Sequence, residues 1–192
     1  MALLAPSLKG LQKLLKACGD YCRDWDICLN AKKSRNLYFG KRRMSLSKLT
    51  LNGNDVEWAE KWSYLGVDLI SHTKFNCCID QKLRKFYCSV NSILRVEGRS
   101  NDMMMLQLLE THCLPILTYA IEAITVFDRD KRRQLRVAYN GIFRRIFGYR
   151  NYESVRALQS FLRRPDWETL VERRMSNFLE KIRNDTILNI FI

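Results

Sequence analysis

Leu29-Asn30-Ala31-Lys32-Lys33-Ser34 runs into Leu37-Tyr38-Phe39-Gly40, and Trp62-Ser63-Tyr64-Leu65-Gly66-Val67-Asp68 follows after a hairpin signal. The first segment reads as an Asn-x-x-Lys-Ser turn feeding a strand over Arg35 to Phe39. Between the two, residues Ser45 to Leu51 alternate, Asn52-Gly53 follows, and Asp55 to Trp58 returns. That is a β-hairpin signature, because a type I′ turn needs positive φ at both central residues. Trp62 to Ile70 reads as one further strand. Upstream, Ser7 suits an N-cap, and Leu8, Leu11, Leu14, Leu15, Cys18 and Cys22 recur at helical spacing to about Trp25. Residues 1–71 thus predict one helix with a small antiparallel sheet.

After Ser71 the period changes to that of helices. Ile79, Leu83, Phe86, Val90, Ile93 and Leu94 form an apolar stripe, with Lys82, Arg84, Lys85 and Arg95 largely off it. Asn101 can cap a helix through Met103, Leu106, Leu109 and Cys113, which Pro115 should kink or end. Asp128 can cap the next, with Leu135, Ala138, Ile142 and Ile146 inward. Asn151 is expected to start a fourth, and Asp166 a fifth carrying Leu170, Phe178 and Ile182. Residues 186–192 have no readable period. The expected fold is α+β and mostly helical, in segments 1–71, 72–127 and 128–192.

Charge narrows the partners. The chain carries 33 Lys and Arg against 20 Asp and Glu, a net charge of +13. Such an excess favours nucleic acid or an anionic membrane; a basic protein with neither partner is the plain alternative. No run reaches the roughly 18–20 apolar residues of a membrane helix. Leu114 to Phe127 is the longest candidate, and Pro115 and Glu122 interrupt it, so it reads as core. The start lacks the basic n-region of a signal peptide. The expectation is therefore cytoplasm or nucleus, not secretion, and no membrane partner. Cys18, Cys22, Cys28, Cys77, Cys78, Cys88 and Cys113 include no Cys-x2-Cys pair. Cys18 and Cys22 could share a metal from one helix face, but no second pair follows, so free thiols are expected and no metal site.

The opening segments resemble the last palm motifs of reverse transcriptases of the non-LTR, LINE-like retrotransposon class. Further features fit the same resemblance in order: Gly10-Leu11-Gln12 to Leu15, the basic helix Asp80 to Arg95, Leu114-Pro115-Ile116-Leu117-Thr118-Tyr119, Arg136 to Asn140, and Arg144 to Gly148. The resemblance implies RNA-directed DNA polymerase as the family activity, a partial palm over 1–71, and thumb-like and connecting helices beyond it. It puts Lys33 on the motif lysine near the incoming nucleotide, where an ammonium can neutralise phosphate or protonate the leaving pyrophosphate; a solvated turn lysine is the alternative. It puts Tyr64, Leu65 and Gly66 on the primer grip, where glycine permits close backbone approach; a strand with a glycine bulge is the alternative. Thumb-like helices would contact RNA or DNA duplex through phosphates, without sequence readout. Lys82, Arg84, Lys85, Arg95, Arg129, Lys131, Arg132, Arg133, Arg136, Arg144 and Arg145 are the candidates, against a solvated helix face.

Two-metal nucleotidyl transfer needs carboxylates that hold Mg²⁺. The family's Tyr-x-Asp-Asp turn would precede Met1, and the sequence contains no Asp-Asp pair. Asp24 and Asp26 read as a solvated helix end, Asp68 has no acidic neighbour, and His72 and His112 are single. The expectation is a truncated reverse-transcriptase-like protein without its catalytic carboxylates, binding no cofactor by itself, with Mg²⁺ implied only for the complete family enzyme. A palm cut before its central strands would expose an edge open to self-association. The alternative from a different class is a small basic helical interaction module with a protein or RNA partner.

Overall fold

The computed structural model describes residues 1–41, 46–96, 101–125 and 128–184. The chain divides into two compact units, Met1–Cys78 and Ile79–Ile192. As the sequence predicts, the described structure is α+β and mostly helical.

The first unit begins with α1, Leu8–Asp24, whose Ser7 Oγ accepts from Gly10 N at 3.1 Å. That bond satisfies one of the amides a helix start leaves open. Leu15 turns inward onto Leu49, Leu51 and Val56, with Leu3, Leu11, Leu29, Ala31 and Trp58 packed around them. Leu49–Leu51 (β1) and Asn54–Val56 (β2) pair antiparallel. Their turn has φ of 51° at Asn52 and 79° at Gly53, as the Asn-Gly pair requires. Gln12 covers the outer edge of β1: its Nε2 donates to Thr50 O at 3.0 Å and its Oε1 accepts from Thr50 N at 3.0 Å. One side-chain amide thereby satisfies backbone groups that an open edge would expose.

Two expected strands fold differently. Residues 35–39 form isolated bridges, Asn36 to Trp58 and Phe39 to His72, in place of a regular strand. Residues 62–70 fold back on themselves: Lys61–Tyr64 (β3) and Val67–Ile70 (β4) pair antiparallel, with Tyr64 opposite Val67. The cause is local. Leu65 has φ of 47° and Gly66 75°, and a run with two left-handed residues cannot continue extended. A two-residue strand, Cys77–Cys78 (β5), pairs with β4 and had no sequence signal. The hairpin strand expected from Ser45 is seen from Leu49; Ser45 itself lies outside the described residues.

The second unit is helical: α2 Asp80–Val96, α3 Asp102–His112, α4 Leu114–Thr118, α5 Ile121–Thr125, α6 Arg129–Phe147, α7 Arg156–Phe161 and α8 Trp167–Asn184. Asn101 and Asp128 cap α3 and α6 as anticipated, each accepting from the second and third amides of its helix. Pro115 sits in the first turn of α4, where its missing N–H costs nothing. Phe86, Val90, Leu106, Leu109, Cys113, Leu117, Leu135, Tyr139, Phe143 and Trp167 are buried together in this unit's core. Tyr139 stands edge-on to Phe143 at 5.3 Å and tilted against Trp167 at 5.6 Å. The helix expected from Asn151 starts only at Arg156, because Arg150 N donates to Glu153 Oε2 at 2.5 Å and closes a turn. Leu14, Met103 and Phe178 follow the apolar period of their helices, yet are exposed. Residues 186–192 lie outside the described residues.

Candidate nucleic-acid interface

The Asn-x-x-Lys-Ser segment is a single 3₁₀ turn, Ala31–Lys33. Asn30 builds it, since both its backbone O and its Oδ1 accept from Lys33 N at 3.1 Å. The Lys33 side chain is exposed at the end of this turn. The next residue but one holds the turn in place. Arg35 Nη1 donates to Lys32 O and to Ser34 O, each at 2.7 Å. Its Nη2 lies 3.2 Å from Glu57 Oε2, and its guanidinium sits 5.1 Å from the centre of the Trp62 ring. Arg35 therefore joins the turn carrying Lys33 to β3, the strand that leads into Tyr64-Leu65-Gly66. Sequence reading missed Arg35. A lone arginine after a lysine-rich turn has no periodicity, and the two partners that tie it to the sheet, Glu57 and Trp62, lie more than 20 positions away in sequence.

Tyr64, Leu65 and Gly66 form the tip of the β3–β4 hairpin, with Tyr64 half-buried and Leu65 72% exposed. The hairpin has an ionic strut. Asp68 is buried, and Lys61 Nζ reaches its Oδ2 at 2.9 Å. The hydrogen bond to Asp68 shifts the Lys61 ammonium upward from its ordinary pKa. With that oxygen taken by Lys61, and with Asp24 and Asp26 exposed at the end of α1, these carboxylates do not fit a two-metal centre. Among the described residues no group of three or more His, Cys, Asp or Glu side chains is placed to hold a metal ion.

The basic side chains of the second unit fall into two sets. Lys82 donates to the Tyr119 carbonyl and lies 5.8 Å from the centre of its ring. Lys131 pairs with Asp128 at 2.8 Å, and that hydrogen bond is the main reason the Asp128 carboxyl titrates below its ordinary range. Arg132 and Arg136 share one carboxylate, Glu168, the latter at 3.7 Å. Arg144 donates twice to Glu153 O, at 3.1 and 3.0 Å, and so fastens the loop after α6. Arg145 donates to Asn91 Oδ1 at 2.7 Å and lies 5.5 Å from the Tyr87 ring centre. The second set is Arg84, Lys85 and Arg95 on α2 and Arg129 and Arg133 on α6. These are exposed and make no side-chain hydrogen bond or ion pair with another described residue. On α6, Arg129, Arg133 and the shared Arg136 follow at i, i+4 and i+7, a single stripe on one face.

Three curated relatives bear on this arrangement. The chain is 20% identical over 176 residues to the RNA-directed DNA polymerase from mobile element jockey of Drosophila melanogaster, covering 90% of this chain and 19% of that protein. It is 23% identical over 158 residues to the jockey polymerase of Drosophila funebris, covering 81% of this chain and 17% of the relative. It is 22% identical over 180 residues to the probable RNA-directed DNA polymerase from transposon BS of Drosophila melanogaster, covering 91% of this chain and 20% of the relative. No family model and no solved structure matches. The class these matches define is the reverse-transcriptase-like proteins. Within it, the chain is similar to a segment of RNA-directed DNA polymerases from non-LTR, LINE-like mobile elements. It spans about a fifth of the length of the curated relatives it matches.

Proposed function

We propose that these 192 residues are a nucleic-acid-holding part of an RNA-directed DNA polymerase, gripping RNA or DNA duplex through backbone phosphates. The observation that carries this reading is the set of exposed, unpaired cations on α2 and α6 in a chain related to such polymerases. Cations aligned on one face without anionic partners repel one another in the folded state, and a polyanion relieves that repulsion. In the first unit, the Lys33 turn would lie near the nucleotide phosphates, and the hairpin tip at Tyr64-Leu65-Gly66 near the primer end. Arg35 would set the spacing between them. Catalysis is not expected of these residues alone, because their carboxylates do not fit a metal pair. The outer edge of β3 is a candidate for self-association, which light scattering over a concentration series would reveal.

The test is binding of a fluorescent RNA–DNA duplex by anisotropy, from low to moderate salt. Binding should be independent of sequence and fall steeply with salt. A saturable protein partner combined with salt-independent or absent duplex binding would overturn the proposal.

A further inference from the structure

The elbow between α6 and α8 carries aromatic side chains that the fold does not use. Phe161 is 84% exposed and Tyr152 76% exposed. Their scaffold is nevertheless firmly built. Val155 and Gln159 are buried beneath α7. Gln159 Nε2 donates to Asn140 Oδ1 at 3.2 Å, and Gln159 O accepts from Arg164 N at 2.8 Å. The loop before α7 is closed by the Arg150–Glu153 turn and by Arg144 on Glu153 O. Large aromatic rings held in water on a fixed support contribute nothing to folding by burial.

Composition says what could cover them. The exposed residues between 149 and 163 are Tyr, Arg, Asn, Ser, Ala and Phe, with no Val, Leu, Ile or Met and no acidic residue. Arg150, Arg156 and Arg163 are interleaved with Tyr152 and Phe161, and Arg150 Nη1 donates to Tyr152 Oη at 2.7 Å. Rings and arginines also occur in protein interfaces, but Arg150, Arg156 and Arg163 with no exposed carboxylate among them call for a polyanion. Alternating rings and guanidinium groups match a chain in which bases alternate with phosphates. A duplex hides its base faces in its own stack, so only an unpaired strand can use the rings.

Resting on the nucleic-acid reading above, we infer that this elbow is a stacking site for single-stranded RNA or DNA, distinct from the phosphate contacts on α2 and α6. Phe161 and Tyr152 stack bases, and Arg150, Arg156 and Arg163 hold the intervening phosphates. Recognition is tolerant of sequence, because every base offers a π face.

The experiment uses the whole chain with two probes by anisotropy: a fluorescein-labelled oligouridylate of about a dozen nucleotides, and an RNA–DNA duplex of matched length. Phe161→Ala should weaken binding of the single strand by roughly 5- to 100-fold, and leave the duplex and the melting temperature unchanged. Phe161→Trp should retain or tighten it. Phe161→Leu keeps the apolar area but not the π face, and should behave like Phe161→Ala. Wild-type binding by Phe161→Leu would overturn the inference, as would equal weakening on both probes. Duplex binding without oligouridylate binding would defeat the stacking site and leave the phosphate reading standing. Absence of binding to either probe would defeat both.

Discussion

Replacing Arg35 by Ala should loosen the turn that presents Lys33. The side chain donates to two carbonyls at 2.7 Å, meets Glu57 at 3.2 Å and stacks on Trp62 at 5.1 Å. Hydrogen bonds from a charged donor are worth about 1.5–3 kcal/mol in favourable settings. The Glu57 side chain is 73% exposed, so the ion pair adds little, between about 0 and 1 kcal/mol. The stacking adds about 0.5–1 kcal/mol at a partly open site. These terms share one guanidinium and do not add, so about 2 kcal/mol is expected for the local structure. A loss of that size corresponds to about 30-fold faster opening. Hydrogen exchange read residue by residue should show it at the Lys33 and Ser34 amides, which the turn protects through Asn30 and Ala31. Amides in the Ile79–Ile192 unit serve as the internal control. Arg35→Lys should recover less than half of the effect, since an ammonium cannot fork across two carbonyls and stack at once. Unchanged protection at Lys33 and Ser34 in Arg35→Ala would refute the assigned role.

Leu65 occupies a left-handed position that costs an L residue about 1–2 kcal/mol, so Leu65→Asn should raise stability by about 1 kcal/mol in urea titrations. Trp167 is fully buried against Tyr139, and Trp167→Ala should cost about 3–5 kcal/mol in thermal or denaturant unfolding of the second unit. Asp128 is depressed by the Lys131 hydrogen bond and by backbone amides of α6. A lowered folded pKa means its contribution is complete above the unfolded value of about 3.9 and is lost as pH falls through the lower folded value. Asp128→Asn keeps the cap but should flatten the acid limb of the melting-temperature profile below about pH 4. Asp128→Ala should cost about 1 kcal/mol already at neutral pH.

Elements whose cause is local were legible in the sequence. The caps at Ser7, Asn101 and Asp128, the Asn52-Gly53 turn and the stripe Phe86–Val90 each depend on residues within a turn or two of one another. What failed had a cause elsewhere or an atypical residue. The β3–β4 turn places Leu at a left-handed position, a residue that turn chemistry argues against, so the hairpin was read as one strand. Phe178 shares its period with core residues of α8, but Val171 is the last fully buried residue of that helix, and beyond it Phe178 and Leu179 stand exposed. Asn151 has the side chain of a cap, yet Glu153 takes the Arg150 amide first and delays the helix to Arg156.

The same distinction governs the charge, and it changes what a salt titration should read. Sequence cannot separate Arg132, Arg136 and Arg145 from the exposed cations of the second unit, because their partners are distant: Glu168 lies 32 and 36 positions from Arg136 and Arg132, and Asn91 is 54 from Arg145. If every nominated cation met a phosphate, log K would fall against log salt with a slope of about −10. Arg84, Lys85, Arg95, Arg129 and Arg133 alone give a slope of about −4 to −5. Removing Arg129 and Arg133 together should then flatten the slope by about 2 and leave the melting temperature unchanged. Removing Arg132 and Arg136 should do the reverse. The pair carries one net charge over Glu168, so the slope changes by about 1 at most, while the packing of α8 on α6 weakens. Equal slope changes from the two double variants would show that the intramolecular ion pairs open on binding, and that charge counted from the sequence is the better guide.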